Sequence, residues 1–152
     1  MIALHQVRAV VLTGYVEVAR FLGLNPAALL RWAGIDPRSL ADPEARLPAT
    51  RVVELLEESV RRSQCESFGL LMAECRTFES LGPLALLLGH LGSAREAIEA
   101  AIAHKRMLND IVEFDLDGAA PDCIRIALLP QFASRQAIDL AVAVTQITLA
   151  GA

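Results

Sequence analysis

Apolar residues recur along this chain at two different spacings, and the change from one to the other divides it into a helical part and a short β part. Val7, Val10, Val11, Tyr15, Val18 and Leu22 stand three or four apart, which predicts a helix over 7–22 that Gly14 weakens and Gly23 ends. One device then occurs three times. Asn25-Pro26, Asp36-Pro37 and Asp42-Pro43 each set a capping side chain before a proline suited to the first helical turn, so three helix starts are expected. The first of these helices should run over 26–33 and stop at Gly34. Pro48 opens a longer amphipathic helix to about Ser63, with Val52, Val53, Leu56 and Val60 inward and Arg51, Glu54, Glu57, Glu58 and Arg61 outward. Buried helices are predicted over 67–75 and 84–90. Ser93-Ala94-Arg95-Glu96 has capping-box spacing and opens a further helix, whose alanine-rich stripe from Ala94 to Leu108 lets another element approach closely.

At Ile111 the period falls to two. Val112, Phe114 and Leu116 alternate with Glu113, Asp115 and Asp117, and Ile124, Ile126 and Leu128 alternate with Cys123, Arg125 and Ala127. With turn formers at Asp117-Gly118 and Pro121-Asp122, this predicts an antiparallel β-hairpin of strands 112–117 and 123–129. A last helix over 134–149 has apolar residues on more than one face and should be packed on two sides. The expected fold is therefore α+β and predominantly helical, with about six helices, one hairpin and a C-terminal helix in a single domain over 1–152. A lone two-stranded hairpin is marginal in water and leaves two unpaired edges. Further strands, or the same hairpin from a second copy in a homodimer, are expected to complete it.

Composition narrows the function. The 152 residues are 54% apolar and 21% charged, enough for a folded core with apolar surface left for a ligand or partner. A formal net charge of -4 disfavours direct binding to DNA phosphates. The stretch from Val16 to Ile35 imitates a helix-turn-helix, but only Arg20, Arg31 and Arg38 are basic nearby. No run reaches the ~20 apolar residues of a membrane span, and the first twelve residues lack the cationic start of a secretory signal, so no membrane partner and a cytoplasmic location are expected. Cys65, Cys75 and Cys123 form no CxxC pair and are expected to be small buried hydrophobes rather than metal ligands or a disulfide.

Candidate chemistry is sparse. His5, His90 and His104 make no HExxH, and no phosphate loop, nucleophile elbow or nucleotide fingerprint occurs, which argues against an enzyme, a cofactor and a metal. Four residues stand out as ligand contacts. His90 ends an apolar helix, where it either caps that helix as a partly buried histidine or orients a small ligand. His104 and Arg106, with Lys105 between them, either complement the helix macrodipole or pair with an acidic group of a ligand. Trp32 either packs on the first helix or lines a pocket. Glu113, Asp115 and Asp117 form a solvated strand face that discourages edge-to-edge pairing.

Three segments resemble a known family. Leu22-Gly23-Leu24-Asn25-Pro26-Ala27-Ala28-Leu29-Leu30 through Asp36-Pro37 and Asp42-Pro43 to Pro48, then Phe68-Gly69-Leu70-Leu71-Met72-Ala73-Glu74, then Gly82-Pro83-Leu84 through Ser93-Ala94-Arg95-Glu96-Ala97-Ile98, are similar to the N-terminal effector domain of AraC-type transcriptional regulators, in the branch labelled arabinose-binding-like. Leu91-Gly92-Ser93-Ala94 departs from it by lacking the proline usual at that corner. The resemblance implies a domain that binds a small-molecule effector, dimerises, and controls a C-terminal helix-turn-helix domain absent from these 152 residues, through which alone DNA would be bound. By the same resemblance the chain is truncated at its C-terminal end. The alternative is a purely structural dimerisation module that works without a ligand.

Overall fold

The computed structural model describes residues 4–104, 109–116 and 123–151. The chain opens not with a helix but with a strand, β1 (Gln6–Arg8), followed by a 3-10 turn over Ala9–Leu12 and then helix α1 (Tyr15–Phe21). The helix expected over 7–22 is thus replaced in its first half, for two physical reasons. Val7 pairs with Leu47 in an antiparallel ladder between β1 and β2 (Arg46–Pro48), a partner forty residues away that helical spacing cannot reveal. Gly14 then takes a left-handed φ of 82°, which breaks any helix crossing it. A Cβ there would come within 2.6 Å of the Cys75 Cβ, so the glycine also permits a close chain approach.

The three capped starts diverge. Asn25 accepts the Ala28 N–H and opens α2 (Pro26–Trp32), as expected. Asp36 accepts the Arg38 N–H and opens only a 3-10 turn over Pro37–Ala41. Asp42-Pro43 starts no helix: the Asp42 carboxylate takes the Glu44 N–H at 3.0 Å in a local turn, and the chain enters β2 instead. Helix α3 (Ala49–Ser63) begins after Pro48 as predicted and buries Val52, Leu55 and Leu56. Next come α4 (Phe68–Glu74), α5 (Pro83–Leu88) and α6 (Ala94–Ala103). Ser93 does cap α6 by accepting the Glu96 N–H, but the Glu96 carboxylate returns to the Gly92 N–H rather than to Ser93, so the box is formed one residue out.

The hairpin is present, shorter than expected, as β3 (Val112–Asp115) against β4 (Arg125–Leu128) with Phe114 opposite Ile126. Its expected turn residues, 117–122, lie outside the described residues. The chain itself covers one end of this ribbon: Val7 forms a bridge to Asn109, and Gln6 exchanges hydrogen bonds with Asp110 through its own N–H and carbonyl. The final helix, α7 (Arg135–Gly151), is packed on two sides as its sequence requires, against α4 and α3 on one flank and β4 on the other.

Two apolar clusters result. The larger joins β1, α1–α4, β3 and α7 around fully buried Tyr15, Phe68, Leu55 and Met72, with the Tyr15 hydroxyl on Ser59 Oγ at 2.8 Å. The smaller contains Leu84 and Leu88 of α5 and Ala97 of α6, and meets α7 through Leu149. All three cysteines carry free thiols, and the burial expected of them is corrected: Cys75 and Cys123 are exposed and Cys65 is half-buried. The reason is position, since Cys75 ends α4 and Cys123 precedes β4.

Candidate ligand-binding cavities under the last helix

The seam between the two clusters is imperfectly filled. A cavity of about 100 Å³ lies there, walled by Leu81, Leu84 and Leu88, by Ala97, Ile98 and Ala101 of α6, by Val112 and Phe114 of β3, and by one face of α7 from Ala141 to Leu149. A second cavity of about 100 Å³ adjoins it beneath the hairpin, sharing Asn109, Val112, Ala141 and Val144 and reaching Val7, Val52, Leu56 and Arg76. A third, of about 80 Å³, shares Asn109 and Val144 with both and is lined by Arg8, Arg76, Thr77 and Ser80. Val144 and Asn109 therefore stand where all three meet.

The few polar groups of the first cavity are largely engaged already. The Thr145 and Thr148 hydroxyls donate to the Ala141 and Val144 carbonyls one turn back, at 2.7 and 2.8 Å. Asn109 Oδ1 accepts the N–H groups of Ile111 and Val112. What remains facing the void is hydrocarbon.

The third cavity is different. Arg8, only 4% exposed, places Nη1 on both oxygens of Glu44, at 2.8 and 3.0 Å, but its Nε has no partner. Arg76 donates one Nη to the Val11 carbonyl, and its Nε is likewise buried without a partner. No carboxylate among the described residues forms an ion pair with Arg76. Desolvation by burial pushes its pKa down to about 10, a direction that reports a cation poorly compensated in the folded protein. Two guanidinium groups thus line one small cavity, and among the described residues a single carboxylate, Glu44, pairs with them.

A sequence model for the arabinose-binding domain of AraC transcription regulators, N-terminal, matches residues 23–150, which include α2 to α7 and every cavity-lining residue except those of the 7–11 segment. The chain belongs to this family. Within the AraC regulators it is also similar to the HTH-type transcriptional regulator VirS of Mycobacterium tuberculosis, in strains CDC 1551 / Oshkosh and ATCC 25618 / H37Rv, at 31% identity over 94 residues in each. That alignment covers 62% of this chain but 28% of the curated relatives, so the AraC-type chain described here corresponds to well under half of their length. Among the described residues no helix is long and apolar enough to cross a membrane, and no group of His, Cys, Asp or Glu is placed to hold a metal ion.

The residues singled out from the sequence do not converge. Trp32 is 52% exposed on α2, and His90 is exposed beyond the end of α5 rather than partly buried. His104 is exposed at the end of α6, where its Nδ1 meets the Ala100 carbonyl at 2.8 Å. None of these three lines the cavities just described. Arg106 lies outside the described residues. The residues that do surround the cavities are mostly aliphatic, with Phe114, a few hydroxyl side chains, Asn109, Arg8 and Arg76. Only their burial together distinguishes them, and single-residue chemistry gives no sign of it.

Proposed function

We propose that this AraC-type domain is a cytoplasmic sensor, in which a small molecule occupying the cavities under α7 favours one setting of that helix and so governs a DNA-binding domain further along the natural protein. The observation that carries this reading is the placement of adjoining voids at the seam between the α5–α6 cluster and the main core, with α7 as their common wall. A ligand there touches both clusters at once. It can shift α7 only to the extent that it binds its two settings unequally.

A thermal-shift screen tests the reading. A ligand held only by the folded state adds about 2.7 kcal/mol at a hundred times its Kd, which for a chain of this size raises Tm by roughly 5–11 °C. Val144→Trp, which puts an indole where the cavities meet, is expected to erase that rise. A screen of sugars, amino acids, organic acids and cyclic nucleotides in which no compound raises Tm contradicts the proposal. So does a rise that Val144→Trp leaves intact.

A further inference from the structure

The cavity system is chemically two-ended. At one end the third cavity is lined by Arg8 and Arg76, each with an unpartnered buried Nε, and among the described residues the one carboxylate paired with either is Glu44, on Arg8. Glu44 is itself 58% exposed and is not part of the cavity's lining, and no carboxylate among the described residues pairs with Arg76. At the other end the first cavity is hydrocarbon, and the two share Leu81, Asn109, Val144 and Thr148. A half-buried guanidinium with an unpartnered Nε and no counter-charge is costly, and a carboxylate offers it two oxygens in a matching fork.

From this we infer that the effector is a small amphipathic anion, a carboxylate on a hydrocarbon chain, with its head against Arg76 and its chain in the apolar cavity under α7. The inference rests on the sensing role proposed above and specifies its ligand. Size limits the chain: an apolar cavity near 150 Å³ takes a benzene-sized molecule, so the two adjoining voids of about 100 Å³ each together suit a tail of about seven or eight carbons. A sugar fits poorly despite the family's description. Its hydroxyls need several hydrogen-bond partners, and the described polar groups of the first cavity are mostly committed to the backbone.

Calorimetric titration of the whole chain with octanoate, octan-1-ol and arabinose tests the assignment. Octanoate is expected to bind saturably at one per chain, with octan-1-ol at least tenfold weaker. In Arg76→Met octanoate should fall to the level of octan-1-ol, while the ligand-free variant melts a few degrees higher because an uncompensated buried charge has gone. A purely structural Arg76 would instead lower Tm on replacement. Should Arg76→Met not fold, the octanoate and octan-1-ol comparison on the unaltered chain still decides, supported by Leu84→Trp, which fills the tail cavity and should abolish octanoate binding.

Octanoate binding that survives Arg76→Met, or octan-1-ol binding as tightly as octanoate, overturns the inference. Arabinose binding without octanoate binding overturns it too, while leaving the sensing role standing. Failure of every compound class in the wider screen would remove both.

Discussion

Replacing Gly69 with alanine is expected to destabilise the domain by about 3 kcal/mol and to lower its melting temperature by roughly 6–12 °C. The glycine sits in the first turn of α4, where α7 crosses. A Cβ at this position would lie 2.6 Å from the Gln136 carbonyl oxygen and 3.3 Å from its side-chain oxygen. The first of these atoms is backbone and cannot swing aside. Gln136, 3% exposed, also clamps the two helices: its Oε1 accepts the Gly69 N–H at 2.8 Å and its Nε2 donates to the Glu66 carbonyl at 2.7 Å. Forcing the helices apart therefore adds a steric cost of about 1–3 kcal/mol to the loss of a buried hydrogen-bond pair of similar worth. Urea denaturation measures the sum. A loss under 1 kcal/mol would mean that α4 does not set the position of α7. Because α7 walls all three cavities, the same substitution should also weaken whatever ligand binds there.

The other large effect is expected at Phe68, whose side chain is fully buried against the Tyr15 ring at a centroid distance of 5.7 Å. Phe68→Ala removes the ring and leaves a void among residues fixed by α1, α3 and α4, for a loss of about 3–5 kcal/mol. Differential scanning calorimetry should show Tm lower by roughly 6–20 °C. Unlike Gly69, Phe68 lines none of the cavities under α7, so its variant should keep its ligand response at temperatures where it is folded. A change below 1 kcal/mol would show that this part of the core relaxes freely, contrary to the packing described.

Local chemistry made much of the fold legible. Asn25-Pro26, Pro48 and Ser93 each carry a helix start in their own side chain or ring, and all three open helices where expected. The alternation from Val112 onward marked the hairpin because one face of it is packed on α7. What failed was non-local. Val7 has helical spacing to Val10 and Val11 and becomes a strand residue only because Leu47 lies beside it. Asp42-Pro43 has the same grammar as Asn25-Pro26, yet the demand of β2 for extended chain decides its fate.

The candidate site was less legible still. Conspicuous side chains such as Trp32 and His90 drew attention because they are rare, and they lie on the surface. Arg76 follows α4 in the Cys75-Arg76-Thr77 stretch; only the folding of Val11 and α7 around it half-buries the arginine and leaves its Nε without a partner. The family, by contrast, is legible in residues 22–98, where proline-capped starts and leucine runs shape the helices, and the match over 23–150 includes nearly all of them.

The central claim is that small molecules enter the voids beneath the last helix. Methyl-resolved NMR of the isotopically labelled chain during titration with octanoate addresses it residue by residue. Saturable shifts should concentrate at Leu84, Val112 and Val144, while Leu29 and Leu30 of α2, which line none of the cavities, stay in place. Shifts confined to exposed residues such as Leu86, or none at any concentration, would contradict the account.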